Sequence, residues 1–326
     1  MNKRNYSSKS KSHNHSHITS SHKSDINNSN VKINNNDNND NKSNMISKKR
    51  PIGVAILDTG IYRHIDFENR IIAFVDFVNG QMMPYDDNGH GSHVAGIIAG
   101  SGIASKGKYT GISPKTNLIS IKVLDKNGNG KIKSVLSGLQ WVLQNKDKYN
   151  IRILNISFGT SPNKDLNEVS ILIKGVDAVW DNGIVVITAA GNNGPDKCSV
   201  TVPGISRKVI TVGAYDDVEY KDERGVIKKH YSGRGPTENC IIKPEIVAPG
   251  SDIISCLNSN NGYSIKSGTS MAAPICSGAI ALLLEKYPEL TPKDVKMRLH
   301  DRAVKIHIPQ NQQGWGMLDV KRLLSN

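Results

Sequence analysis

Ile52-Gly53-Val54-Ala55-Ile56-Leu57 is almost wholly apolar, half of it β-branched, and it ends on Asp58-Thr59-Gly60. A short apolar run closed by turn residues is the pattern of a strand buried on both faces of a parallel sheet. Similar runs recur at 118–124, 151–156, 184–189 and 209–213, and 70–77 is a further strand candidate. Helical patterns lie between them at 90–99, 131–145 and 166–182, the first rich in small residues. Strands alternating with helices of this length predict βαβ units. They imply an α/β fold of three layers, a central, mostly parallel sheet with helices on both faces.

In such a sheet the chemistry collects beyond the carboxyl ends of the strands. Asp58 follows the first strand, Ser157 follows 151–156, and Asn192 lies just after 184–189. His90 opens the small-residue helix. Ser270 precedes a long uncharged run, 271–284, that reads as a buried helix stopped before Pro288. There it meets unpaired backbone N–H groups and the positive end of a helix dipole. By itself Ser270 is equally well read as an N-cap. Asp58, His90 and Asn192 bear on the choice, because a serine nucleophile needs a base, the base an orienting carboxylate, and the oxyanion a set of donors.

Composition narrows the partners. Residues 1–50 hold thirteen Asn, eleven Ser and one aromatic, Tyr6. Such a segment cannot bury enough apolar surface to offset its ordering entropy, so a disordered extension is expected, with one ordered domain over 51–326. The extension carries ten Lys/Arg and three Asp/Glu, about half of the net +13. Without aromatic interleaving or a reader motif, nucleic-acid binding is not expected. No apolar stretch is long enough to span a bilayer, and Lys3 and Arg4 precede no apolar run, so a membrane partner and a secretory signal are not expected either. The four cysteines are not spaced as a disulfide framework and suit a reducing compartment. A cytoplasmic location is therefore the expectation. The oligomeric state is not legible.

Six segments carry a resemblance: V-A-I-L-D-T-G-I (54–61), D-D-N-G-H-G-S-H-V-A-G (86–96), N-I-S-F-G (155–159), A-A-G-N-N-G-P (189–195), K-P-E-I-V-A-P-G (243–250) and S-G-T-S-M-A-A-P (267–274). In this order and spacing they resemble the signatures of subtilisin-like serine proteases, the subtilases of peptidase family S8. The chain order Asp58, His90, Ser270 is also that of subtilisin. The S-G-R-G-P-T block (232–237) and the missing secretory signal resemble the intracellular, AprX-like bacterial branch.

The resemblance implies a subtilisin-like fold and serine endopeptidase activity on protein or peptide substrates. It implies Asp58 as orienting carboxylate, His90 as general base, Ser270 as nucleophile, and the Asn192 amide with the Ser270 N–H as oxyanion hole. It also implies that Gly128, Asn129 and Gly130 on one side, and Ser157, Phe158 and Gly159 on the other, clamp an extended peptide. Ala189, Ala190, Gly191 and Asn192, together with Ser157–Gly159, would then wall the S1 site, with its base near Val200 and Thr201, and Ile132 would line the S4 side. None of these is charged, so neutral P1 side chains are expected. The alternative is a subtilisin-fold binding or regulatory protein with little turnover.

Several features resemble sites of other kinds. Asp125-Lys126-Asn127-Gly128-Asn129-Gly130 opens like an EF-hand loop, but Leu136 stands where a bidentate Glu is required. It is read as a Gly-rich turn, and Ile132 after Lys131 excludes a P-loop. His13, His15 and His17 could grip a metal adventitiously, and no biological site is expected there. His93 is expected as a packed helix residue, and Cys276 as a core residue facing away from Ser270. The loop 101–109 after the first helix has two lysines and no carboxylate, so the tight calcium site of secreted subtilisins is not expected. No cofactor is assigned, and a weaker calcium site near Gly194-Pro195-Asp196 stays open.

Overall fold

Seven strands form one sheet: β1 Gly53–Asp58, β2 Ile71–Asp76, β3 Asn117–Lys122, β4 Ile151–Ile156, β5 Val185–Ala189, β6 Ile210–Ala214 and β9 Ile246–Ala248. Their order across it is β2-β3-β1-β4-β5-β6-β9. Every neighbouring pair in it is parallel. Two small antiparallel pairs accompany it, Tyr220–Lys221 (β7) with Ile227–Lys228 (β8), and Ile253–Cys256 (β10) with Tyr263–Lys266 (β11). The computed structural model describes residues 50–326, apart from 163–164, 219, 222–224, 226 and 229. The chain divides into two units, Met1–Ser47 and Lys48–Asn326. The expectation for the extension over 1–49 lies outside the described residues.

The period-two geometry of β1 sorts its side chains between two cores. Val54 and Ile56 join α1 (His90–Ala99) and α4 (Thr269–Lys286) on one face. Ala55 and Leu57 join α2 (Ile132–Asn145) and α3 (Leu166–Asp181) on the other. The expected three-layer α/β architecture is thus present, and all six residues of β1 are buried. The predicted strands and helices fall within one or two residues of the observed ones. β9 escapes prediction because it is three residues long and follows Pro244 closely. The chain ends with α5 (Pro292–Arg302), α6 (Gln310–Gln313) and α7 (Val320–Leu324).

Helix α4 packs across β4, β5 and β6 and against α1, which explains why its run lacks charge. Its start differs from the N-cap reading of Ser270. The N-cap is Gly268, with φ 146°, and Ser270 is the second helical residue, so the serine caps nothing. A φ in that region is hard for any residue with a Cβ, and a Cβ on Gly268 would also come within 3.0 Å of Asn192 Nδ2. Cys276 is buried in the core as expected, and burial pushes its thiol up to about 12. His93 is buried too. Its Nε2 bridges the carbonyls of Ile253 and Ser264 at 3.1 Å each, and burial lowers its pKa to about 3, so the ring packs neutral. Among the described residues no helix is long and apolar enough to cross a membrane.

Candidate active site

Asp58 ends β1 and is buried. Its Oδ1 accepts the Thr59 N–H at 2.8 Å and lies 2.8 Å from His90 Nδ1. A carboxylate oxygen can only accept, so Nδ1 carries the proton and Nε2 is left as the free acceptor. His90 opens α1, and Asp86 builds that helix start. Its Oδ1 accepts from the Asn88 and Gly89 N–H groups and the Thr59 hydroxyl, and its Oδ2 from the Ser92 N–H and hydroxyl. One buried carboxylate thereby satisfies helix-end donors and ties the His90 loop to the turn after Asp58. Burial disfavours the His90 imidazolium, but the charge and hydrogen bond of Asp58 outweigh it and raise the His90 pKa.

Ser270 and Asn192 meet at the start of α4. Asn192 Oδ1 accepts from both the N–H and the hydroxyl of Thr269, each at 3.0 Å, and the Thr269 hydroxyl accepts the Gly191 N–H at 3.0 Å. With its oxygen held twice, the carboxamide presents Nδ2 on its other side. The Ser270 backbone N–H has no acceptor among the described residues, as expected in the first helical turn. The Ser270 hydroxyl donates to the Ser157 carbonyl at 2.6 Å. Among the described residues no hydrogen bond joins it to His90, although both residues line one cleft.

That cleft has a volume of about 530 Å³. Of the residues expected from the sequence, it gathers Gly128, Ser157, Phe158, Gly159, Ala189, Gly191, Asn192, Thr201, His90 and Ser270, with Asp58 buried behind His90. Asn129, Gly130, Ala190 and Ile132 do not line it. Asn129 closes a turn in which its N–H and that of Asn127 bond Asp125 Oδ1, each at 2.9 Å. The EF-hand lookalike is therefore a turn whose carboxylate is used by its own backbone. Gly130 pairs with Leu124 in a bridge, and Ala190 is fully buried. Ile132, the expected S4 wall, begins α2 and packs against the second core. Val200 is buried and lines a separate small cavity, whereas Thr201 faces the cleft.

Thr201 stands between the two walls. A Cβ on Gly159 would fall 2.3 Å from Thr201 Oγ1, so glycine is required for this approach. Sequence reasoning missed Thr59, Asn88, Leu124, Asn127, Thr160, Ser161 and Asn193, which also line the cleft, and the orienting Thr269. Thr59 and Thr269 adjoin residues already singled out. Adjacency was their only signal. Among the described residues no Asp, Glu, Lys or Arg lines the cleft.

One other set of ligand-type atoms comes together among the described residues, His64, Asp66 and Cys256, all within 4.8 Å of one another. Each is already engaged. His64 Nδ1 accepts the Asp66 N–H and its Nε2 bonds the Gly262 carbonyl. Asp66 accepts from the Ala104 N–H, the Tyr263 hydroxyl and the Cys256 thiol. The loop 101–109 thus offers Asp66 a backbone N–H, a donor that does not fit a cation. These contacts describe a closed hydrogen-bond network.

Fold and rim together define a subtilisin-like α/β protein. The family model described as the subtilase family, peptidase S8, matches residues 49–316. The serine protease AprX of Bacillus subtilis (strain 168) is 45% identical over 263 residues, covering 75% of this chain and 59% of that protein. Subtilisin DY of Bacillus licheniformis is 33% identical over 258 residues, covering 78% of this chain and 84% of that one. Among solved structures, an S41 psychrophilic protease aligns with a TM-score of 0.69 at 29% identity, covering 82% of this chain and 91% of that one. Sphericase aligns with a TM-score of 0.68 at 28% identity and the same coverage. The chain belongs to the subtilase family. It spans little more than half the length of AprX.

Proposed function

We propose that the chain is a serine endopeptidase that hydrolyses peptide bonds through an acyl-enzyme on Ser270. The observation that carries this reading is the 2.8 Å Asp58–His90 hydrogen bond, opening on the cleft that Ser270 and Asn192 also line. His90 Nε2 takes the Ser270 proton as Oγ attacks the substrate carbonyl. Asp58 keeps the proton on Nδ1 and stabilises the imidazolium. The tetrahedral oxyanion accepts from Asn192 Nδ2 and the Ser270 N–H, at the positive end of α4. His90 then protonates the leaving amine, and water, deprotonated by the same imidazole, releases the acyl group.

Asn192→Ala removes the side-chain donor and is expected to lower kcat by about 10²–10³, the loss known for this position in subtilisin itself, with KM nearly unchanged. Steady-state kinetics on a short chromogenic peptide checks it. Wild-type kcat in that variant would remove Asn192 from the mechanism.

The substrate class is protein or peptide in extended form, laid between the Gly128 side and residues 157–159 as an added strand. The uncharged lining supports neutral side chains at P1. Cleavage of a peptide panel, read by mass spectrometry, is expected to fall mainly after uncharged residues. Cleavage mainly after Lys, Arg, Asp or Glu would refute this specificity. No cofactor enters the mechanism. The four free cysteines support a reducing, cytoplasmic setting.

One observation favours the alternative of a subtilisin-fold binding protein with little turnover, namely the Ser270 hydroxyl held by the Ser157 carbonyl. Catalytic hydrogen bonds often tighten only in the substrate complex, and a serine rotamer exchanges acceptors at small cost, so the protease reading accommodates it.

A further inference from the structure

Lys122 ends β3 and is fully buried, yet the proposed mechanism makes no use of it. It lies opposite Asp58 in the β1–β3 register. Leu118, four residues earlier, belongs to the same core as Val54 and Ile56, so Lys122 and Asp58 leave the sheet on one face. The ammonium donates to the Thr59 carbonyl at 2.6 Å, to Asp87 Oδ1 at 2.6 Å and to the Leu124 carbonyl at 2.9 Å. Three donors meet three acceptors, and the Tyr85 ring lies 5.0 Å away. A buried ammonium is rare unless fully paired, because its desolvation is costly.

The three acceptors belong to three parts of the site. Thr59 comes directly after Asp58. Asp87 sits three residues before His90, in the loop organised by Asp86. Leu124 lines the cleft and is bridged to Gly130, beside the proposed substrate edge. The relative placement of these segments sets the Asp58–His90 distance and the position of the edge. We propose that Lys122 is a positioning residue for peptide-bond hydrolysis, one cation that holds the carboxylate turn, the imidazole loop and the substrate edge in register. This inference rests on the reading of the chain as a protease.

The test is Lys122→Met, which keeps the length of the stem and removes the ammonium. Asp87 is one-third exposed and can take up water, so no buried charge is stranded. A misplacement of about 1 Å at a catalytic group costs up to about 10²-fold in rate. The expected result is a kcat lower by about 10- to 100-fold. KM for a peptide spanning the cleft should rise, and Ser270 phosphonylation by a fluorophosphonate should slow in parallel with kcat. A structural role alone would lower the melting temperature but leave the kinetic constants of the folded molecules as in the wild type.

Wild-type kcat, KM and phosphonylation rate in folded Lys122→Met would overturn the proposal. If that variant does not fold, Asp87→Ala and Asp87→Asn decide. The asparagine keeps an acceptor for the ammonium and should retain most of the rate, while the alanine should lose several-fold in kcat with KM unchanged. Equal rates in both variants and wild type would overturn it. Failure of the wild type itself to be labelled by the fluorophosphonate would instead count against the protease reading.

Discussion

Ser270→Ala is expected to lower kcat by about 10⁶-fold, the scale of loss known when the nucleophile of subtilisin is removed. Its folding should be almost untouched. The helix is capped by Gly268 rather than by Ser270, and alanine has high helix propensity, so no capping energy is lost. Among the described residues, the hydrogen bond it removes is that to the Ser157 carbonyl, with a net value of about 1 kcal/mol. Kinetics normalised to folded protein, paired with a thermal melt, separates the two effects. Residual turnover within tenfold of wild type would mean that the hydrolysis has another nucleophile.

Asp58→Asn should cost about 10⁴-fold in kcat, as the equivalent change does in another Ser-His-Asp enzyme. An amide facing Nδ1 can donate to it, which favours the tautomer with the proton on Nε2. That nitrogen could then no longer accept from Ser270. The pH profile carries a second signature. The Asp58 charge and hydrogen bond raise the His90 pKa against the opposing effect of burial. Only the neutral imidazole accepts a proton, so the acid limb of kcat/KM in the wild type should lie above the ordinary histidine value of about 6.5. Removing the carboxylate leaves burial unopposed by it, and the limb should move to lower pH. An acid limb at the same pH in both proteins would contradict the assigned Asp58–His90 coupling.

The sheet and the four central groups were legible because they depend on local patterns. Apolar runs mark the strands, turn residues close them, and the residues just past each strand gather at the rim of a parallel sheet. Features that depend on distant partners were not legible. Ser270 looked like a cap because serine commonly caps helices, yet the cap is Gly268, whose φ only the fold reveals. That Ile132, expected on the S4 side, also packs partly buried against the second core at the start of α2 was not legible. Nothing in 268–274 tells that Thr269 grips the Asn192 oxygen 77 residues away. Lys122, within an apolar strand, gives no sign that it reaches Thr59 and Asp87. The Gly128 and Ser157–Gly159 segments and Thr201 were named from the resemblance, but the close approach of Gly159 to Thr201 was not legible.

The central claim is that Ser270 is a nucleophile activated by His90. Treating the folded protein with a fluorophosphonate and measuring its intact mass tests this most directly. One covalent adduct is predicted, mapped to Ser270 by peptide sequencing, absent in Ser270→Ala and strongly slowed in His90→Ala. Folded wild-type protein that takes up no adduct, or that labels equally well without Ser270, would contradict the account.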